Sequence, residues 1–170
     1  MSGQFSSLKI LVADDNANVR SLVAAVLAGL DIIHVHECRD GAQALDFVKR
    51  EPVDIAIVDF HMEPVDGVQF TKLIRKGPDS PNPMLPIIML TGSGEKTRVF
   101  EARDAGVTEF IVKPMTTRAL YDRINAVVFR PRPFVRSAIY FGPCRRRRQD
   151  PAFTGPFRRS ADAQARKVTR

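Results

Sequence analysis

The chain has 170 residues, a length that suits one domain with some residues to spare. Its hydrophobic share of 44% is ordinary for a globular protein, and no apolar run approaches the roughly 18 residues that a membrane span needs. Residues 1–7 have neither a basic start nor an apolar core, so we expect no signal peptide and a cytoplasmic protein. Cys38 and Cys144 form no metal-binding or redox spacing, and we expect both to be reduced.

The net charge of +7 is divided unevenly along the chain. Residues 130–170 hold 12 basic and 2 acidic side chains, whereas residues 1–129 hold 14 basic and 17 acidic ones. The body of the chain therefore carries −3 and the tail carries +10. A segment as basic as the tail could bind nucleic acid, an acidic partner or an anionic membrane, so the two parts are interpreted separately.

Apolar runs alternate with helix-like segments through the body of the chain. Strands are predicted at 8–13, 32–38, 53–59, 86–91 and 109–112. Helices are predicted to begin at caps provided by Asn16, Asp40, Asp66 and Thr116 or Thr117, and a weakly amphipathic helix begins after 92–94 and ends near Gly106. Strict alternation of strand and helix predicts an α/β fold with helices on both faces of a parallel sheet.

Polar side chains stand at the ends of four of these predicted strands. Asp14 and Asp15 follow the first strand, Asp59 ends the third, Thr91 ends the fourth and Lys113 follows the fifth. The carboxyl ends of parallel strands meet at one edge of the sheet, so we expect these side chains to be neighbours. At ~4 Å and an effective dielectric constant of about 20, each pair of carboxylates costs about 4 kcal/mol, which indicates a bound cation. Mg²⁺ suits such a set of oxygen ligands.

Asp59 is the candidate nucleophile because it ends an apolar strand that is predicted to be fully buried. A carboxylate beside Mg²⁺ and the Lys113 ammonium is equipped for phosphoryl transfer, since both cations neutralise the phosphoryl oxygens. Each residue alone has an ordinary explanation: Asp14 and Asp15 suit a helix N-terminus, and Lys113 suits a surface. Their combination at successive strand ends indicates a site.

These residues, in this order and at these strand ends, resemble the receiver domain of two-component response regulators over about 8–129. The resemblance implies a flavodoxin-like, doubly wound, five-stranded parallel sheet with strand order 2-1-3-4-5. It implies that Asp59 accepts a phosphoryl group from a histidine kinase or a histidine phosphotransfer protein. It also implies that Asp14, Asp15, Asp59 and the backbone carbonyl of His61 bind Mg²⁺.

The same resemblance implies the remaining roles and exposes some departures. Lys113 would pair with the phosphoryl oxygens, Thr91 would hydrogen-bond them, and Phe110 would turn inward as Thr91 moves; alternatively, Phe110 is a core residue that does not switch. The family often has proline where Glu63 stands here, one residue before Pro64. The two positions that tune the lifetime of the phosphoryl group in the family are His61 and Ser93, and His61 is read here as a solvated loop residue.

The tail, 130–170, is predicted to be irregular and partly disordered. Prolines at 131 and 133 end the last helix, and composition favours disorder past about Arg145. The aromatic segment 134–141 is too apolar for a linker, so we expect it to dock on the receiver or on a partner. The tail is too short for a usual winged-helix output domain.

We therefore predict a single-domain response regulator, 1–129, with a basic extension, 130–170. It would be a phosphoacceptor rather than an enzyme, and would signal to an unidentified downstream protein by direct contact. Two alternatives stay open. One is a nucleic-acid-binding regulator acting through the tail. The other is a phosphatase of the haloacid-dehalogenase kind, although that chemistry requires a second Asp where His61 stands.

Overall fold

The computed structural model describes residues 3–92, 96–145 and 166–168. The predictions made for Ser93, for the disordered tail over 146–165 and for residues 169–170 lie outside the described residues. The elements of the body are β1 (Lys9–Ala13), α1 (Ala17–Ala28), β2 (His34–Cys38), α2 (Gly41–Arg50), β3 (Ile55–Asp59), α3 (Gly67–Lys76), β4 (Ile87–Thr91), α4 (Lys96–Ala105), β5 (Glu109–Val112) and α5 (Thr117–Phe129). Those of the tail are β6 (Phe134–Arg136), β7 (Phe141–Pro143) and β8 (Arg166–Val168).

The five strands of the body form one parallel sheet with the order β2-β1-β3-β4-β5. The register places Ile10 opposite Ile55 and Leu90 opposite Ile111. β3 and β4 are buried along their whole length, as expected for strands covered on both faces. The predicted flavodoxin-like fold and its strand order are confirmed.

Two hydrophobic cores lie on opposite faces of this sheet. Successive strand residues point to opposite faces, so Leu11 enters one core and Ile10 enters the other. The core around Leu11 is completed by α2 and α3, with Phe70 and Ile74 fully buried. The core around Ile10 is completed by side chains of α1 and α5, such as Leu27. Helices on both faces therefore cover the sheet that carries the strand-end residues.

Side-chain caps begin the helices close to the strand ends. The carboxylate of Asp66 accepts from the Gln69 backbone N–H at 2.7 Å, and the Gln69 side chain reciprocates in a capping box. Asn16, Asp40 and Thr116 cap their helices in the predicted way. These caps keep the connections from strand to helix short, which limits where the residues between them can lie.

The described part of the tail forms a small antiparallel sheet with the order β7-β6-β8. Phe134, Tyr140 and Phe141 are each only about 6% exposed, so the aromatic segment docks on the body of the chain, as its apolar character suggests. The described tail differs here from the irregular, partly disordered segment expected from composition. Residues as far on as Arg166–Val168 pair with β6, and strands of three residues carry too little periodicity to be recognised in sequence.

Among the described residues, no helix is long and apolar enough to span a bilayer.

A glycine behind the site offers a direct test of this packing. A Cβ atom on Gly67 would lie 2.3 Å from the backbone oxygen of Asp59 and 3.0 Å from the Met89 methyl group. We expect Gly67→Ala to lower the free energy of unfolding by about 1–3 kcal/mol, because β3 or α3 must move to make room. Denaturant titration measures this change.

Gly29→Ala is the matched control. Gly29 ends α1 with φ −63°, and the nearest atom to an added Cβ is a backbone oxygen at 3.4 Å. We expect the free energy of unfolding to change by less than about 0.5 kcal/mol. Equal losses in the two variants would contradict the close approach of Gly67 to Asp59.

Candidate functional site

The carboxyl edge of the sheet brings together the side chains that follow β1, β3 and β5. The Nζ atom of Lys113 lies 2.9 Å from Asp14 Oδ2 and 2.7 Å from Asp59 Oδ1. Asp14 is completely buried, whereas Asp15 beside it is exposed. Carboxylate oxygens of Asp14, Asp15 and Asp59 all lie within 4.8 Å of one another. The acidic cluster predicted from the strand ends is therefore present, with a lysine bridging two of its three members.

Backbone N–H groups hold the second oxygen of each bridged carboxylate. Asn16 N–H donates to Asp14 Oδ1 at 2.9 Å, and His61 N–H donates to Asp59 Oδ2 at 3.1 Å. Each donor lies two residues after the carboxylate that it binds, so the local turn orients the side chain. In both carboxylates, consequently, one oxygen contacts the Lys113 ammonium and the other accepts a hydrogen bond from a backbone N–H group.

Burial and charge shift the pKa values of this pair in ways that favour a further cation. Burial raises the pKa of Asp59; the hydrogen bond from Lys113 lowers it in part, and the negative charge of Asp14 raises it. Burial lowers the pKa of Lys113, but the hydrogen bonds and charges of Asp59 and Asp14 outweigh this effect and leave the pKa raised. Lys113 therefore stays protonated, and its positive charge only partly offsets the cost of ionising Asp59.

The donor set fits a hard divalent cation. Mg²⁺ prefers carboxylate and carbonyl oxygens together with water, and this cluster offers three carboxylates of which one, Asp15, faces solvent. His61 follows Asp59 closely enough for its backbone carbonyl to belong to the same edge. Sulfur and imidazole donors, which softer metals prefer, are absent from the three-residue cluster.

Thr91 and Phe110 occupy the neighbouring strands β4 and β5. Thr91 is 1% exposed at the end of its strand, and its backbone oxygen accepts from the Lys113 N–H at 2.7 Å. Phe110 is half-buried and packs against the hydrophobic core that contains Met89. The structure therefore places Thr91 beside Lys113, and places Phe110 against the core. The inward turn of Phe110 stays a prediction.

Arg98 lies near the site, although no pattern in the sequence indicates it. Its guanidinium lies 5.5 Å from the Phe60 ring centroid and 3.3 and 3.4 Å from the two ring nitrogens of His61. The sequence predicts that His61 is a solvated loop residue. Its ring is exposed but faces this guanidinium. No spacing in the sequence links the weakly amphipathic helix α4 to the loop after β3, so only the fold reveals the contact.

A family model for the response regulator receiver domain matches residues 10–125. This chain belongs to that family. Receiver domains are the signal-receiving modules of two-component systems, and the acidic cluster and Lys113 lie inside the matched region. The tail from 130 onward lies beyond it.

Characterised relatives of this receiver include chemotaxis proteins. The chain is 32% identical over 121 residues to chemotaxis protein CheY-3 of Vibrio cholerae, covering 71% of this chain and 92% of the relative. It is 34% identical over 122 residues to the chemotaxis protein CheY homolog of Campylobacter jejuni, with the same coverage of 71% and 92%.

Solved receiver structures have the same fold. A putative response regulator from Chloroflexus aurantiacus superposes with a TM-score of 0.66 at 26% identity, covering 71% of this chain and 97% of that one. The receiver domain of a sensor histidine kinase from Pseudomonas aeruginosa superposes with a TM-score of 0.62 at 25% identity, covering 69% and 94%. That structure holds a magnesium ion coordinated in its active-site cleft.

The raised pKa of Asp59 predicts how stability depends on pH when no divalent metal is present. A carboxyl group with a raised folded-state pKa stabilises the fold while it is protonated, and this contribution is lost as pH rises through that pKa. We therefore expect Asp59→Asn, which stays neutral, to gain stability relative to the unmodified chain as pH rises from about 4 to neutrality. Denaturant unfolding in the presence of a chelator measures the difference.

Asp46→Asn provides the comparison, because Asp46 is exposed on α2. Its difference from the unmodified chain should stay nearly constant across the same pH range. A difference for Asp59→Asn that is flat or that shrinks toward neutral pH would show that the folded protein does not disfavour the charged Asp59.

Proposed function

We propose that this receiver is a phosphoacceptor response regulator and that Asp59 accepts the phosphoryl group from a phosphohistidine. The donor would be a histidine kinase or a histidine phosphotransfer protein. The observation that carries the proposal is the position of Asp59 at the end of a buried strand, 2.7 Å from the Lys113 ammonium and within the acidic cluster. Membership of the receiver family supports the same chemistry.

The transfer proposed for Asp59 is a displacement at phosphorus. A carboxylate oxygen of Asp59 forms the new P–O bond while the bond from phosphorus to the donor's imidazole nitrogen breaks and its electron pair stays on that nitrogen. The His61 N–H holds the carboxylate in one orientation, so its attacking oxygen is positioned before the donor arrives. The Lys113 ammonium, already 2.7 Å from the acceptor, stabilises the negative charge on the transferred group.

We propose Mg²⁺ as the cofactor, held by Asp14, Asp15, Asp59 and the backbone carbonyl of His61. When bound, the ion neutralises charge on the phosphoryl oxygens. The three clustered carboxylates support this assignment, because one Lys113 ammonium cannot balance three negative charges. The magnesium in the Pseudomonas aeruginosa receiver supports it independently.

The chain would act as a signalling protein rather than as an enzyme with a substrate of its own. Its own residues would promote phosphorylation of Asp59 and the later hydrolysis of the acyl phosphate. The alternative hypothesis, a phosphatase, requires a carboxylic acid two residues after the nucleophile. His61 occupies that place and contacts Asp59 through its backbone N–H, while its ring faces Arg98.

Output would pass through the face formed by α4, β5 and α5. A phosphoryl group adds roughly −1.5 to −2 units of charge, which would draw the Thr91 hydroxyl and let Phe110 turn inward. Phe100 on α4 and Val112 on β5 are each 56% exposed, large apolar side chains that suit contact with a protein partner. The receiver, 1–129, would thus signal by protein contact, with the segment 130–170 as an extension.

Acetyl phosphate tests the acceptor assignment without requiring the cognate kinase. With Mg²⁺ present, we expect intact-mass spectrometry to detect one added phosphoryl group on the unmodified chain and none on Asp59→Asn. Asp14→Asn should slow formation of the adduct, because it removes a buried carboxylate from the cluster. Asp46→Asn, on the exposed face of α2, should behave like the unmodified chain. An adduct of equal yield on Asp59→Asn would refute the assignment.

A further inference from the structure

A second charged cluster lies at the opposite edge of the sheet, where the tail docks. We call Arg75, Arg132 and Arg145 the arginine cluster. Arg75, on the last turn of α3, is 3% exposed. Its Nε donates to the Gly106 carbonyl at 3.0 Å, and its Nη1 donates to the carbonyls of Pro83 and Leu85 at 2.9 and 2.7 Å. These partners are neutral, so no carboxylate among them balances the buried charge.

The hydrogen bonds of Arg75 do not fully compensate the cost of burying its positive charge. Burial lowers the pKa of Arg75 to about 9. In the described part of the chain its Nη2 atom has no hydrogen-bond partner, although the guanidinium lies 5.0 Å from the Phe134 ring centroid. A buried N–H group without a hydrogen-bond partner costs more free energy when it belongs to a cation than when it belongs to a neutral group. The Nη2 atom would therefore be stabilised by an added hydrogen-bond acceptor.

The two tail arginines border the same region and are partly open to solvent. The side chains of Arg132 and Arg145 are 18% and 17% exposed. Arg132 donates to the Thr108 carbonyl at 2.9 Å and lies 3.9 Å from Glu109. Arg145 lies 4.0 Å over the Tyr140 ring and 3.5 Å from Asp104. Its Nε atom has no hydrogen-bond partner among the described residues.

Two glycines allow close approaches beside Arg75 and Tyr140. A Cβ atom on Gly106 would lie 3.1 Å from Arg75 Nε, and one on Gly142 would lie 2.6 Å from the Tyr140 hydroxyl and 3.0 Å from the Gly106 Cα. Burial raises the pKa of Tyr140, while Arg145, Arg75 and Arg132 each act to lower it. All three cations therefore act on one buried hydroxyl.

The carboxylates near this cluster are shared with other cations. Glu109 lies 3.8 Å from Arg123 as well as beside Arg132, and Asp104 lies 3.1 Å from Arg103 as well as beside Arg145. Within the part of the chain that the structure describes, this neighbourhood holds more arginines than carboxylates. Of the two carboxylates, Asp104 is 49% exposed and Glu109 only 7%, so Asp104 is the partner that a soluble anion can replace.

We propose that the arginine cluster is an anion-binding site that takes a phosphate group, which enters beside Asp104 and binds Arg145 first. Guanidinium forks match the paired oxygens of phosphate, and the buried charge of Arg75, which acts on the same Tyr140 as Arg145, adds attraction that a surface arginine lacks. This site lies near the amino ends of β4 and β5, across the sheet from Asp59, and so is separate from the proposed phosphorylation site. Free phosphates and phosphodiester backbones share the chemistry that it would recognise.

Arginine Nε–H signals in NMR spectra of the full ¹⁵N-labelled chain test the proposal directly. Inorganic phosphate and pyrophosphate are added in one arm, a short single-stranded oligonucleotide in another, and sodium chloride of equal ionic strength serves as the baseline. We expect Arg75 and Arg145 signals to shift saturably in at least one phosphate arm. Arg145→Gln should weaken binding about tenfold, as loss of a charged hydrogen bond predicts.

Two further variants separate the site from general electrostatic attraction. Asp104→Asn keeps the side chain's shape but removes the competing charge, so it should tighten binding several-fold. Arg136→Gln removes a charge from the same small sheet, where Arg136 lies 4.5 Å over the Phe141 ring, and should leave binding nearly unchanged. Because Asp104→Asn predicts a gain, unfolding cannot imitate the expected result.

Each outcome of these binding experiments either supports or overturns the proposed anion site. Binding of phosphate or pyrophosphate with this pattern of variants would support a site for a free anion, and binding of the oligonucleotide alone with the same pattern would support a site for a phosphodiester backbone. Absence of shifts in both arms would overturn the proposal. Binding that is equally weakened by Arg136→Gln and Arg145→Gln, and unaffected by Asp104→Asn, would also overturn it, since it would reflect the net charge of the tail.

Discussion

The Lys113 ammonium, held between two buried carboxylates, is the interaction on which the site depends. Asp14 and Asp59 leave the adjacent strands β1 and β3, and their charges repel by about 4 kcal/mol at ~4 Å if the effective dielectric constant is about 20. Lys113 reaches both from β5, at 2.9 and 2.7 Å. Its backbone N–H binds the Thr91 oxygen, so the strand that carries the predicted phosphoryl-binding hydroxyl also fixes the lysine. Through its ammonium and its backbone N–H, Lys113 therefore connects the ends of four strands.

Local chemistry explains why much of this arrangement could be read from sequence. Short apolar runs such as 53–59 are typical of strands buried on both faces, and caps such as Asp66 mark where the helices begin. Once strands and helices alternate, parallel pairing carries Asp14, Asp59 and Lys113 to one edge. The α/β class and the clustering of these side chains follow from short-range patterns plus one topological rule, whereas the strand order 2-1-3-4-5 was implied by the resemblance to receiver domains.

Contacts between distant segments had no such local signal. Arg98 reaches His61 from α4, and the Arg75 guanidinium lies 5.0 Å from the ring centroid of Phe134, which the tail supplies. An arginine in the last turn of a helix is ordinarily solvated, so its sequence context suggested nothing unusual. The apolar character of the aromatic segment in the basic tail did predict docking, but only the fold shows that Phe134 and Tyr140 are buried.

The central claim is that Asp59, and no other side chain of the site, carries the phosphoryl group. Borohydride reduction of the phosphorylated chain converts an acyl phosphate on aspartate to homoserine, and tandem mass spectrometry of the peptides locates it. The account predicts homoserine at position 59 alone. Homoserine at position 14 or 15, or a borohydride-resistant phosphoryl group on His61, would contradict it.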